Sequence, residues 1–430
     1  MTMARGGTFE EMFTITFIIF ILTGLSAARV PLEAPLGGDK LQSRSHLEYN
    51  EDAHLTAREL ITKYGYRGET HRVETSDGHI LELHRITGPK GNGRPFGKPV
   101  AFLMHGLLSS SVDWLISGPE KAFAYMLADH GYDVWLGNAR GNSYSRKHKK
   151  YSVLDKNFWM FSWHEIGVED LPAMIDYVQK TTKKDKIFYI GHSQGTTSFF
   201  VMCSEKPQYN DKIHAMFAMA PVTYMKHMSS PFFRILSRFD NLLVGALEAL
   251  GTYEFKPTDD FLNRVKTMAC DEEASTQPLC ENIMFLIGGY GTDQMNKTLL
   301  PAILGHVPAG SSARQLLHYA QLMKSDGFSR YNHGIWENLK KYGQFSPPKY
   351  DLSKVTAPVV LHYSLNDIFS HVKDVDRLEE QLPNVHSRLR VPNPKFAHLD
   401  YMWGVDAYRL LYNKTILMMN RLHEKHELED

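Results

Sequence analysis

Ile187-Phe188-Tyr189-Ile190-Gly191-His192-Ser193-Gln194-Gly195-Thr196-Thr197 is the stretch on which the reading of this chain turns. Its first four residues have the apolar run of a buried strand. From Thr196 to Ser204 the pattern becomes helical. Between them, Gly191-His192-Ser193-Gln194-Gly195 fits G-x-S-x-G in the strand, sharp turn, helix context that the pentapeptide requires. Such a turn holds its serine in a strained backbone conformation, and side chains at either flank would clash, hence the two glycines. The turn lifts Ser193 Oγ out of the sheet edge. The helix that follows aims its first N–H groups at developing negative charge.

A serine hydroxyl is a poor nucleophile until a base takes its proton. Sites of this kind place an acid and then a histidine after the serine in chain order. Val359 to Tyr363 reads as a late strand, and Asp367 lies four residues past its end. Asp374 and Asp376 compete, but they fall in the next helical stretch and are expected to be solvated. His398, in Phe396-Ala397-His398-Leu399-Asp400, precedes a final helical stretch and is the expected base. His371 follows Asp367 too closely, His362 sits on the strand as a structural residue, and Asp400 reads as a helix start. The oxyanion of an acyl-transfer intermediate needs two backbone N–H groups. Gln194 supplies one, and Leu107, in His105-Gly106-Leu107-Leu108 after the strand Val100 to Met104, supplies the other. His105 is expected to brace that loop.

Outward from these residues the chain alternates strands with helices. Apolar runs at Ile80–Leu83, Val100–Met104, Val134–Leu136, Ile187–Ile190, Met216–Met219 and Val359–His362 alternate with helical stretches at Glu120–Asp129, Glu165–Lys180 and Thr196–Ser204. This predicts an α/β architecture, a mostly parallel central sheet with helices on both faces. The rhythm stops near Thr223 and resumes near Pro358. In the gap, Phe232, Ile235, Leu236, Phe239, Leu242, Leu243, Ala246, Leu247 and Leu250 keep the spacing of one helix face. The expected organisation is therefore a core over 54–222 and 354–430, with a helical cap or lid inserted at 223–353. The stripe either packs the cap on the core or forms an apolar wall over a site.

The ends and composition bound the rest. Met12 to Leu25 is an apolar run of 14 residues after Arg5, followed by Ser26-Ala27-Ala28. It is shorter than the ~20 residues of a membrane span and reads as a secretory signal peptide over 1–28, with an uncleaved anchor as the alternative. Residues 29–53 form a polar leader, and no later apolar stretch suggests a transmembrane segment in the mature chain. Two sequons, at Asn296 and Asn413, suit the secretory route. Cys270 and Cys280 would close a small loop there as a disulfide, or stay as two thiols. Cys203 lies in an apolar run and is expected to be buried and inert. Of 430 residues, 43% are hydrophobic and 22% charged, so wholesale disorder is excluded. With 48 basic and 48 acidic residues there is no basic excess for nucleic acid. No CxxC, HExxH, Walker A or post-strand GxGxxG is present, so no metal or cofactor is expected.

The chain resembles the acid lipases, the group of gastric lipase and lysosomal acid lipase, from about Ala57 to about Leu422. The resemblance rests on Ile61-Thr62-Lys63-Tyr64-Gly65-Tyr66, on His105-Gly106-Leu107-Leu108, on Asp133 to Asn138 with Arg140-Gly141-Asn142, on Gly191 to Thr197, on Asn366-Asp367 and on His398-Leu399-Asp400. It implies an α/β-hydrolase fold with nucleophile Ser193, acid Asp367, base His398 and oxyanion donors Leu107 and Gln194. It also implies triacylglycerols or cholesteryl esters as substrates, met at a lipid–water interface, in a secreted or lysosomal protein. The family often has a further cysteine shortly after the position of Cys280. Gly288-Gly289 occupies that stretch here, so the Cys270–Cys280 pairing is an inference. A short-chain esterase on the same fold and a catalytically silent lipid-binding protein are the rival readings. Oligomeric state is not legible in the sequence.

Overall fold

Strands covered on both faces must be apolar at nearly every position, and the runs nearest Ser193 have that character. The computed structural model describes residues 50–91, 99–251, 253–255, 289 and 293–429. The apolar run at 12–25, the leader up to residue 49, and Cys270 and Cys280 lie outside them. The strands of the main sheet are β1 (Gly68–Glu74), β2 (His79–Ile86), β3 (Val100–Met104), β4 (Asp133–Leu136), β5 (Lys147–His148), β6 (Ile187–His192) and β7 (Ile213–Met219). A short pair, β8 (Glu254–Phe255) and β9 (Ser311–Ser312), stands apart, and β10 (Val359–Tyr363) and β11 (Val385–Arg390) complete the main sheet. Its order is β1-β2-β4-β3-β6-β7-β10-β11, with β5 beside β2. From β4 to β11 all pairs are parallel, whereas β1, β2 and β5 join antiparallel. Every residue of β3, β4 and β6 is buried.

Apolar-run reading misses β1 and β11, the two edge strands. Gly-Glu-Thr-His-Arg-Val-Glu and Val-His-Ser-Arg-Leu-Arg carry polar side chains because an edge meets solvent, and no position of either is fully buried. The helices around the sheet are α1 (Ala57–Lys63), α2 (Phe123–Asp129), α3 (Leu171–Thr182) and α4 (Gln194–Glu205). The stretch expected as one helix over Glu165–Lys180 is broken. A single turn, Trp163–Glu165, passes into a π turn at Ile166–Asp170 before α3 begins. Gly167 lies there against α4, where a Cβ would come within 2.7 Å of Val201 Cβ and 2.8 Å of Ser198 O. The π turn thus accommodates a close helix approach.

Between β7 and β10 come α5 (Pro231–Leu250), α6 (Leu300–His306), α7 (Ala313–Lys324) and α8 (Ile335–Tyr342). The apolar stripe of α5 divides. Phe232 and Phe233 join the main core, while Leu247 packs in a separate cluster with Ala313, Leu317 and Tyr331. The helix is interrupted at Phe239 (φ −117°, ψ 16°), and Leu242 is exposed. After β10 come α9 (Val372–Gln381), α10 (Asp400–Trp403) and α11 (Asn413–Glu429). Phe123 of α2 stacks on Tyr412, just before α11, at 4.6 Å. Among the described residues no helix is long and apolar enough to cross a membrane, and no cluster of His, Cys, Asp or Glu could hold a metal ion.

Candidate active site

Ser193 sits at φ 51°, ψ −116°, a conformation that L residues rarely adopt. Its surroundings hold it there. Ser193 N donates to Met219 O at 3.0 Å, and Thr196 Oγ1 donates back to Ser193 O at 2.6 Å. A Cβ on Gly195 would stand 2.3 Å from Met104 O, and one on Gly191 would stand 2.8 Å from the Gly195 carbonyl carbon. Both glycines of the pentapeptide are therefore steric necessities. Strand β6 ends and α4 begins around one over-determined turn.

His398 Nε2 lies 2.8 Å from Ser193 Oγ, and His398 Nδ1 lies 2.8 and 2.9 Å from the Asp367 oxygens. A carboxylate can only accept, so Nδ1 carries the proton and Nε2 is left to accept from the serine. Asp367 is buried. Burial pushes its carboxyl up, but the proximity of His398, the bond it donates and the N–H groups of Ser370 and Phe369 hold it below the ordinary range. The Phe369 ring stacks on the imidazole at 4.8 Å. From the elbow, His192 Nε2 donates to His398 O at 3.0 Å. Burial, then the nearby His398, pushes His192 down to about 3, so it stays neutral and serves as a brace.

Ser193 and His398 line a cleft with Gly106, Leu107, Leu108 and Trp403. Gln194 opens α4, so its N–H has no carbonyl four residues back. Leu107 lines the cleft on the loop after β3. That loop is tied from several sides. His105 Nδ1 donates to Gly106 O at 2.8 Å and its Nε2 accepts from Ala139 N at 3.1 Å. Burial pushes His105 down to about 4, which fits a neutral ring with one donor and one acceptor. Asn138 Oδ1 accepts from Ser111 N, and Asn142 Nδ2 donates to Ser109 O. Arg140, nearly fully buried, pairs with Asp170 at 2.7 Å and Asp77 at 2.6 Å. The polar string Asn138 to Asn142 is the frame of the loop bearing Leu107.

The other candidates sit elsewhere. His362 is buried on β10 beside Thr415, and His371 caps α9. Asp400 starts α10 and accepts from Ala397 N at 2.7 Å. Asp374 differs from its expected solvation: it is buried and pairs with His227 at 2.8 Å. Asp376, by contrast, is half-exposed and paired with Arg388. Cys203 is buried, and burial pushes its thiol up. Asn413 is exposed at the start of α11, although Thr415 of its sequon is buried and bonded to Leu411 O; Asn296 is half-exposed. Three residues near the cleft escape sequence reasoning: Phe369, Gln315, whose Oε1 accepts from Gln194 Nε2 at 2.6 Å, and Asp113. Of these only Asp113 left a signal, a lone acid amid serines and apolar residues.

Comparison with known proteins adds three findings. Residues 57–118 match a family model described as a partial alpha/beta-hydrolase lipase region, and residues 99–265 match the alpha/beta hydrolase fold. Lipase 3 of Drosophila melanogaster is 44% identical over 84% of this chain and 92% of its own length. Gastric triacylglycerol lipase of Mus musculus is 39% identical over 86% and 93%, and lysosomal acid lipase/cholesteryl ester hydrolase of Macaca fascicularis is 36% identical over 86% and 92%. A crystal structure of a candidate lipase from Sulfolobus solfataricus superposes with a TM-score of 0.55 over 82% of this chain and 94% of that one. At 12% identity, that likeness concerns the fold alone.

Proposed function

The chain belongs to the acid lipase family of α/β-hydrolases and is a carboxylic ester hydrolase; from that premise we propose that it hydrolyses neutral-lipid esters, triacylglycerols or cholesteryl esters, through Ser193, His398 and Asp367. The observation that carries the reading is the unbroken hydrogen-bonded line Ser193 Oγ, His398, Asp367 opening on an apolar-lined cleft. His398 Nε2 takes the Ser193 proton as Oγ attacks the ester carbonyl. Asp367 keeps the imidazole in the required tautomer and stabilises its charged form. The N–H groups of Gln194 and Leu107 hold the oxyanion, each worth about 2.7–4 kcal/mol of transition-state stabilisation. The imidazolium protonates the leaving alcohol. Water, deprotonated by His398, then releases the fatty acid. The steps require no metal or organic cofactor.

The same reading makes 223–353 a cap on a core of 54–222 and 354–430. It makes 1–28 a signal peptide, takes the chain through the secretory route to the outside or the lysosome, and places glycans at Asn296 and Asn413 and a bridge between Cys270 and Cys280. The relatives' names, the sequons and the apolar run at 12–25 support this route. Substrate is met at a lipid surface, and the outward apolar side chains of α8 support that. The deciding experiment is hydrolysis of a long-chain triacylglycerol emulsion, a cholesteryl ester emulsion and a soluble short-chain ester from pH 4 to 8, by wild type and Ser193→Ala. Emulsion activity lost in the variant is the expected outcome. Activity on the soluble ester alone would replace the lipase with a short-chain esterase.

A further inference from the structure

Asp113 is a carboxyl in an unusual place. It lies in the turn Ser111–Trp114 that follows the loop bearing Leu107, and its side chain lines the same cleft as Ser193 and His398. Ser109 Oγ donates to Asp113 Oδ2, while Oδ1 is buried and has no partner among the protein groups. A buried carboxylate with an unsatisfied oxygen is strongly disfavoured against the neutral acid. The groups facing it do not offset this. The loop contributes Ser109; α10 contributes Trp403 to the cleft, and its Asp400 is itself acidic. The segment before α11 contributes the buried phenol of Tyr412, which Asp113 helps to push up. The elbow contributes neutral His192, and His398, which lines the same cleft, is already matched by Asp367. Burial drives the Asp113 carboxyl up to about 7, opposed only by the Ser109 bond.

We propose that Asp113 is a positioning residue that sets the upper pH limit of the chemistry. As a neutral acid it anchors the Ser109 end of the oxyanion loop and leaves the cleft without a fixed negative charge on that side. As a carboxylate it opposes the anionic tetrahedral intermediate, so turnover weakens as pH rises through neutrality. The inference rests on the ester-hydrolase reading of Ser193 and deepens it, since it names what tunes that site.

The test is the pH profile of kcat and KM for a soluble short-chain ester between pH 4 and 9, for wild type, Asp113→Asn, Ser109→Ala and Ser193→Ala. Wild-type kcat is expected to fall by about tenfold more than that of Asp113→Asn between pH 6 and 8.5, with KM little changed. Ser109→Ala, which removes the one bond favouring the carboxylate, should move the descending limb to higher pH. Superposable normalised profiles for wild type and Asp113→Asn would overturn the proposal. Ester hydrolysis persisting in Ser193→Ala would instead overturn the reading of the site. Infrared difference spectra of wild type at pH 5 and 8.5 keep the question open to test if Asp113→Asn does not fold or no ester is turned over. A protonated buried carboxyl band lost at the higher pH, its midpoint moved by Ser109→Ala, is expected. Absence of such a band at pH 5 would also overturn the assignment.

Discussion

From Ile187 to Ser204 every residue is buried, whereas α8, between β7 and β10, turns Ile335 and Trp336 outward with 61% and 73% of their surface exposed. Leu339 and nearby Phe345 are exposed as well, and Asn338 is the buried member of that helix. One region is apolar because it is enclosed. The other is apolar where it meets solvent, a pattern that marks an interaction surface. The difference divides the work. The elbow must fix a few atoms to within tenths of an ångström, and close packing does that. A surface that adsorbs to lipid needs area, and exposed aromatic and aliphatic side chains supply it.

Substitutions can break this contrast or sharpen it. On the enclosed side, Ser193→Ala or His398→Ala should lower kcat by about 10⁶-fold and Asp367→Asn by about 10⁴-fold, on soluble and emulsified ester alike. Initial-rate kinetics would check both magnitudes, and unequal loss on the two substrates would undo the division. Gly195→Ala forces a Cβ onto Met104 O and should destabilise the fold by about 3–5 kcal/mol, read as lost soluble yield or a large fall in urea midpoint. A normal midpoint would mean the turn is far less constrained than its geometry implies.

Asp113→Asn probes the same side through stability. The folded carboxyl holds its proton up to about pH 7, while the unfolded one releases it near pH 4. Between these values the folded state binds more protons, so wild-type stability falls as pH rises through that window. Urea titrations should show a loss on the order of 2–4 kcal/mol from pH 4 to 7 that is reduced in the variant. Gln315→Ala tests whether α7 belongs with the elbow. Leaving the buried Gln194 amide without its partner should lower stability by about 1–3 kcal/mol, measured by the same titration. On the exposed side, Trp336→Glu should change stability by no more than about 0.5 kcal/mol and leave soluble-ester kinetics intact. Emulsion hydrolysis should drop several-fold. Equal rates on both substrates would remove the case for adsorption through α8.

How much of this was legible in sequence follows from where each residue lies. Ile187 to Thr197 could be read because its strand, turn and helix are local and because the interior strands are unbroken apolar runs. β1 and β11 could not, since edge strands alternate toward solvent and resemble loops. Asp367 and His398 were placed by chain order relative to strands. Their geometry arises from tertiary contacts: Phe369 stacks on the imidazole from a different loop, and His192 holds the His398 carbonyl from 206 residues away. Asp374 reads as solvated because its partner, His227, lies far away in sequence, in the stretch after β7. Asp113 and Gln315 carry meaning only once the cleft exists.

Ala309 N donates to Leu108 O at 2.6 Å, and Ser143 Oγ donates to Ala309 O at 3.0 Å. Leu108 itself has φ 61°, so that one bond steadies the strained end of the loop that bears Leu107. For anyone recombining relatives, this sets the breakpoints. A graft that exchanges everything from Thr223 to Ser353 would also replace Ala309, Gln315 and Tyr319, the last bonded to Thr197 of α4. The transplant that respects the molecule ends before Ala309 and inherits the host's own α7.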